Sequence, residues 1–465
     1  MNSSAPAAPV ADEFLRIETA GVGPIPVAGR HGRPRELGFL WAGAFVNYVT
    51  LLTTSLLTSF YGLGVWDGLA ATALGTLSGA ILLGLLSTTG PAGGLPQIAF
   101  TRRILGDPGV RVGALLTLFL AVGWFAVDSV VAAQAGVQLL QVAGLPIGIA
   151  GKLLLPWVLL IAAVSVAVAV YGHRTIKVFE TYGVIVFAVL SIALFAVLAP
   201  QMHWGTGPTA RGADYPGAFI LGFMTCFALV ASWYPFAADY SRYLPADSSR
   251  RAVTLWPVLG VLAPMLVLGL FGLLLPTIDP KLAGDQGILA VVTKHAPSWA
   301  AVPFFAFVVL GEIWANYLDV YTAGLVSLTM GVRLQRWQTA LGCGVLGALL
   351  ATYAVVVNDF HNAYQQFLIL TYLWAPAWAA VVLLAVYFAR GDADPRSGIL
   401  AWAGGAFVSL AFVNYPNIYP SAHAFNQGLI NALHGADLSG LVSVGAAAGL
   451  YLMLRRSAAR GVRAG

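Results

Sequence analysis

Long apolar runs follow one another along this whole chain, at about residues 37–62, 66–88, 111–139, 152–171, 176–199, 216–237, 253–276, 299–331, 337–357, 363–389, 397–413 and 438–455. The hydrocarbon core of a bilayer is about 30 Å thick, a depth that ~20 helical residues cross. Backbone polar groups inside it must satisfy one another, so only helices and closed barrels can span it. Barrel strands alternate in character over about ten residues, and these runs do not alternate. The chain therefore reads as an all-α polytopic membrane protein of about twelve transmembrane helices, with the run at 397–413 the shortest. Charged residues make up 9% of the 465, against about 25% in soluble domains. That leaves no room for a large soluble domain.

Basic residues set the orientation. With the N-terminus inside and every run crossing, all but four of the 24 Lys and Arg residues fall on the inner side. The exceptions are Lys152, Arg211, Lys281 and Lys294. This bias follows the positive-inside rule, so both termini are expected on the cytoplasmic face of a cell (inner) membrane. The expected organisation is a cytoplasmic tail at 1–36 and a core at 37–389, made of halves at 37–199 and 216–389. Two additional helices at 397–455 and a tail at 456–465 follow. The net charge of +5 is spread by topology rather than gathered into a patch, which argues against a nucleic-acid partner. Cys226 and Cys343 lie within apolar runs and read as small buried fillers. The sequence has no glycine-lysine phosphate loop, Cys/His zinc pattern or nucleophile elbow. An enzyme, a cofactor and ATP-driven transport lose their support accordingly.

Two runs carry signs of interruption. The first holds Gly43, Asn47 and a string of hydroxyls from Thr50 to Ser55; the sixth holds Ser232-Trp233-Tyr234-Pro235. Broken helices at equivalent places in two halves point to an inverted-repeat transporter with a site at mid-depth. Simple kinking is the structural alternative for each.

The polar residues inside the runs are the candidates for function. Glu312, Asn316 and Asp319 sit in the middle of the eighth run, where a charge costs ~2.5–3.5 kcal/mol on insertion scales. Their spacings of four and three put Glu312 with Asn316, and Asn316 with Asp319, on shared helix faces. Asn offers both a donor and an acceptor to an amide-like ring edge. The two acids suit proton carriage, cation ligation or substrate binding. Trp124 and Asp128 share a face in the third run, an apolar platform with acceptors at its edge, and Gln134 follows two turns on. Trp233, beside the proline break, is a candidate second platform. Asp239 and Arg242, at the inner end of the sixth run, read as structural or as a gate contact.

These residues carry a family resemblance. Gly23-Pro24-Ile25-Pro26, Arg30 to Arg35, Trp41 to Asn47, Gly94-Leu95-Pro96-Gln97, Arg103 to Gly106, Gly123-Trp124-Phe125, Ser232 to Pro235, Asp239 to Tyr243 and Asn316 to Gly324 occur in order. In these stretches the chain resembles the nucleobase–cation symporters, the purine–cytosine permease family. The resemblance implies a five-plus-five inverted repeat with broken helices 1 and 6, two further helices, and alternating access. By analogy Trp124 and Trp233 sandwich a planar ring, with Asp128, Asn316, Asp319 and Asn47 around it. Glu312, Asp319 and the first-span backbone near Gly43 would serve the coupling ion. The family usually has amides where Asp128 and, often, Asp319 stand, which favours a more basic ring or a proton-linked site here. Sodium-coupled members carry a hydroxyl pair where this chain has Trp314 and Ala315. The expectation is import of a small nitrogen heterocycle, nucleobase-like, with H+ favoured over Na+. Carriage of a vitamin precursor such as a hydroxymethylpyrimidine is the alternative within transport, and a non-transporting sensor the alternative outside it.

Overall fold

The apolar runs are helices in a computed structural model of the chain, which describes residues 23–169, 173–357, 360–389, 394–414 and 420–464. The first half comprises α1 (Arg35–Phe45), α2 (Tyr48–Ser59), α3 (Val65–Ser87), α4 (Thr89–Gly93), α5 (Gln97–Phe100), α6 (Arg102–Val142), α7 (Ile147–Ala150), α8 (Leu154–Ala169) and α9 (His173–Leu198). The second comprises α10 (Asp214–Ala231), α11 (Ala237–Ser241), α12 (Arg250–Ile278), α13 (Pro280–Gln286), α14 (Ile288–His295), α15 (Ser298–Thr329), α16 (Arg336–Val357) and α17 (Phe360–Tyr387). Then come α18 (Pro395–Ser409), α19 (Pro420–Ala432) and α20 (Ser439–Ala464). The described residues contain no strand.

Every apolar run falls on a helix, α1 and α2 sharing the first run and α10 and α11 the sixth. Among the described residues, 8 helices are long and apolar enough to cross a membrane, or 9 when the bent pair α1–α2 counts as one span. The 15 residues of α18 fall short of the ~20 that a crossing takes.

Packing partners come in exchanged pairs. α6 lies along α15, and α3 along α12. α12 receives α1 and α2 as α3 receives α10. α8 packs on α6 and α15, as α16 packs on α15 and α6. α9 touches α15 and α1, as α17 touches α6 and α10. Swapping each span of the first half for its counterpart reproduces the pattern. This exchanged pairing is the arrangement that two inverted five-helix repeats give. α18 and α20 pack on each other and on α17, outside the repeats.

Two counterpart crossings depend on glycine. A Cβ on Gly75 of α3 would collide with the Phe223 carbonyl of α10, and one on Gly260 of α12 with the Gly38 carbonyl of α1. Small residues at such crossings let backbones touch, which is how helices associate in lipid. Overpacking costs ~1–3 kcal/mol even where side chains can relax, and here the obstacle is backbone. Gly75→Leu is expected to abolish the monodisperse peak of the detergent-extracted protein on size exclusion. A wild-type peak would show that α3 and α10 separate freely.

The two ends of the bundle are tied differently. At the N-terminal end, residues 23–34 lie across the α3–α6 connection, so this part of the expected tail belongs to the fold. Ile25 N–H donates to the Gly94 carbonyl at 2.9 Å, Arg30 Nη1 to the Pro91 carbonyl at 2.7 Å, and His31 N–H to the Tyr243 carbonyl at 2.6 Å. At the other end the Thr293 hydroxyl of α14 donates to Gln138 Oε1 of α6 at 2.7 Å. There Lys294 pairs with Asp279 at 2.7 Å. The Lys294 ammonium, helped by the Leu282 N–H, holds the Asp279 carboxyl down at about 2.

Candidate functional site

The site is organised by the break in the first span. α1 and α2 are bent by 60° at Val46 and Asn47, and Asn47 is extended, with φ −142° and ψ 173°. Cutting a helix exposes carbonyls on one side and amides on the other, and in hydrocarbon each unsatisfied group costs several kcal/mol. Asn47 closes both ends: its Oδ1 accepts Thr50 N–H at 3.1 Å and its Nδ2 donates to the Ala44 carbonyl at 3.0 Å. The Thr50 hydroxyl donates to the Phe45 carbonyl at 2.7 Å. The first amide of α2, Tyr48 N–H, donates to Glu312 Oε1 of α15 at 2.9 Å. A carboxylate suits that position, because free amides and the helix dipole both favour negative charge there.

The sixth span behaves otherwise. After α10 come Ser232, Trp233 and a 3-10 turn at Tyr234–Phe236, and α11 follows at once. Pro235 has no amide to give and loosens the ladder. Yet Asp214–Ser241 passes as one crossing without a sharp bend. The interruption expected here is present, as a turn and a 3-10 turn with less bend than in the first span.

Facing the elbow is a narrow cleft lined by Phe45, Asn47, Trp124, Asp128, Trp233 and Ala315, among others. It has room for about one water. Both indoles are held edge-on. Trp124 meets Phe367 at 5.2 Å and 83° and Tyr364 at 6.2 Å and 69°. Trp233 meets Trp41 at 5.7 Å and 77° and Phe236 at 5.4 Å and 62°. Such contacts fix ring orientation.

Three acids gather at and behind this wall. Asp128, Glu312 and Asp319 lie within electrostatic reach of one another. All three are buried, Asp128 being 3% exposed. Asp128 Oδ1, Glu312 Oε2 and both Asp319 oxygens lack a donor. No Lys, Arg or His among the described residues pairs with them. Bare carboxylates this close to one another repel.

The other sequence candidates are placed as follows. Asn316 is turned away from the cleft, its Nδ2 donating to Ser129 Oγ at 3.1 Å and Ser165 Oγ at 3.2 Å. It ties α15 to α6 and α8. Asp319 and Glu312 sit behind the cleft wall rather than on it. Gly43 lines a second crevice between α1 and α15, with Val46, Gly311, Trp314, Ala315 and Leu318. Gln134 is half-buried and outside the cleft.

Sequence reasoning passed over Tyr364. Its hydroxyl bonds that of Thr53 at 2.7 Å, and its ring borders Trp124. A tyrosine near the end of a span reads as an interfacial anchor, which concealed it. Deeper toward the N-terminal end, Asp239 accepts Gln97 N–H at 2.8 Å and the Thr322 hydroxyl at 3.2 Å. Arg242, fully buried, reaches Tyr243 Oη at 3.0 Å and Tyr321 Oη at 3.3 Å. This network seals the bundle below the acids.

Residues 24–430 match the sequence pattern of the family described as permease for cytosine/purines, uracil, thiamine, allantoin. The chain belongs to this family. It is a multi-pass membrane permease and not an enzyme. It is 24% identical over 475 residues to YxlA of Bacillus subtilis (strain 168), a candidate purine-cytosine permease, across 95% of this chain and 96% of that one. It is 22% identical over 393 residues to the purine-cytosine permease fcyB of Emericella nidulans, across 81% of this chain and 75% of the relative. Among solved structures, Mhp1, a nucleobase-cation-symport-1 family transporter in a closed conformation with bromovinylhydantoin bound, superposes with a TM-score of 0.74. That likeness covers 96% of both chains at 15% identity and establishes the fold. In this permease the elbow, the indole-lined cleft and the three acids lie between two tied ends.

Proposed function

We propose that this permease imports a nucleobase-like nitrogen heterocycle by proton symport, with both termini in the cytoplasm of a cell whose plasma or inner membrane it spans. The observation that carries the reading is the Asp128–Glu312 carboxyl pair, set where the elbow of the first span meets an indole-lined cleft. Glu312 serves as the proton carrier because it also caps α2. Its protonation weakens the bond from Tyr48 and so changes how α15 holds the first span. Trp124 and Trp233 grip the ring, Asp128 orients it, and Asn47 and the Gly43 region keep the elbow in shape. The halves then rock, and ring and proton leave together. A ligand drives such a change only through unequal affinity for the two states, which a proton bound at the hinge supplies.

Sodium is a hard cation that seeks several oxygen ligands. The crevice between α1 and α15 presents Trp314 and Ala315 where sodium-coupled relatives are expected to carry hydroxyls, which favours the proton. Uptake of labelled cytosine or hypoxanthine into cells expressing the permease is expected to survive replacement of sodium by choline and to collapse with a protonophore. Strict sodium dependence would overturn proton coupling.

A further inference from the structure

Asp437, just ahead of α20, is a fully buried acid outside the cleft. Its Oδ2 accepts the Tyr372 hydroxyl of α17 and the Asn414 N–H, both at 3.0 Å. Its Oδ1 accepts the N–H and the hydroxyl of Ser439. A buried carboxylate so fully supplied with donors is a rigid anchor. The helix it holds, α17, backs the cleft, because Tyr364 and Phe367 pack on Trp124. Yet α17 packs more extensively on α20 and α18, outside the repeats, than on α6 or α10. The Trp402 indole of α18 adds a bond to the Trp374 carbonyl at 3.1 Å. Pro376 has no amide to give the Tyr372 carbonyl one turn before it. The ladder of α17 therefore lacks a rung at Tyr372, the residue that Asp437 holds.

We infer that Asp437 is a positioning residue for substrate binding: through Tyr372 it sets the place of α17, and so the seat of the Trp124 indole. This rests on the reading of the cleft as the substrate site. The route is short, since Tyr364 and Phe367 precede Tyr372 by about one to two turns. Phe367 meets Trp124 at 5.2 Å, and its ring would overlap any side chain placed at Gly123. Indole and phenyl leave each other no slack there, and a packed interior passes on strain. A shift of α17 is therefore felt at Trp124. The Tyr364 hydroxyl, bonded to Thr53 at 2.7 Å, ties the same stretch to the first span. Thus α17 is pinned at Tyr364 to the bundle that carries the cleft, and at Tyr372 to the helices outside the repeats.

The test measures uptake of labelled cytosine and hypoxanthine by cells expressing the full-length chain, with surface labelling to count permease. Tyr372→Phe keeps the ring and removes one hydrogen bond. It is expected to raise KM about three- to tenfold, the scale of one such bond, with the maximal rate per permease within about twofold of wild type. A clasp that only stabilises the fold lowers the amount of permease and leaves KM as it was; that result would overturn the inference. Ser439→Ala takes one donor from Asp437 without touching α17 and is expected to leave KM unchanged. A KM shift equal to that of Tyr372→Phe would remove α17 from the route. In a Trp124→Phe background the effect of Tyr372→Phe on KM is expected not to add, since both changes act on one ring. Strict additivity would break the link to Trp124. Should Tyr372→Phe yield no folded protein, Asp437→Asn is read in the same way. Failure of both to fold makes Asp437 a stability residue, and the inference falls. A wild-type chain that takes up neither ring would remove the transport reading, and this inference with it.

Discussion

Trp124→Ala is expected to abolish measurable uptake while the protein still reaches the membrane. Stacking a base on an aromatic ring contributes roughly 1–3 kcal/mol, which is about a 5- to 150-fold loss of affinity. Removing the indole also strips Phe367 and Tyr364 of the ring they pack against. Truncating a buried Trp costs ~3–5 kcal/mol of stability, so the alanine variant alone confounds binding with folding. Trp124→Phe separates the two: it keeps an aromatic face and most of the packing, and is expected to retain partial uptake. Surface labelling and size exclusion report folding, and radiolabel uptake reports transport. Full uptake by a stable alanine variant would place the platform elsewhere.

Glu312→Gln has the second large effect, and of a different kind. The glutamine oxygen still accepts Tyr48 N–H, so the elbow keeps its tie to α15. What the amide cannot do is take up and release a proton. Concentrative uptake driven by a pH gradient is expected to vanish, while counterflow of labelled substrate at equal pH continues. Concentrative uptake by the variant at the wild-type rate would remove Glu312 from the coupling path. Glu312→Ala adds a structural penalty, because Tyr48 N–H loses its acceptor; a buried unsatisfied amide costs ~1–3 kcal/mol, which a lowered melting temperature would register.

The helical architecture was legible because hydrophobicity and length act span by span. The apolar runs map onto helices almost one for one, since lipid forces each to satisfy its own backbone. The first-span elbow was legible as well: Asn47 amid glycine and hydroxyls is a cap in the middle of a span, and caps mark ends. The sixth span is interrupted where the sequence places a break, but its sharpness was not legible, because Pro235 is equally compatible with an elbow and with a single 3-10 turn. Which occurs depends on what packs alongside, and that is a tertiary fact. The same limit applies to Asn316. Its position among acids suggests a ring-facing amide, but two serines from other helices, Ser129 and Ser165, take its protons. Glu312 was visible as a costly buried acid, yet its partner is a backbone amide 264 residues away in sequence. No side-chain pattern announces a backbone donor.

The elbow in the first span has a mechanical corollary. Asn47 and Thr50 find their partners within the same span, so the bent segment is held rigid by its own bonds and can swivel as one piece without loosening. At its corner the Tyr48–Glu312 contact fastens that angle piece to the neighbouring half, and along α2 the Thr53 and Thr58 hydroxyls reach Tyr364 and the Leu273 carbonyl. A joint of this design is pinned at the corner by an acid and along the arm by hydroxyls, so a change at Glu312 acts on the corner alone.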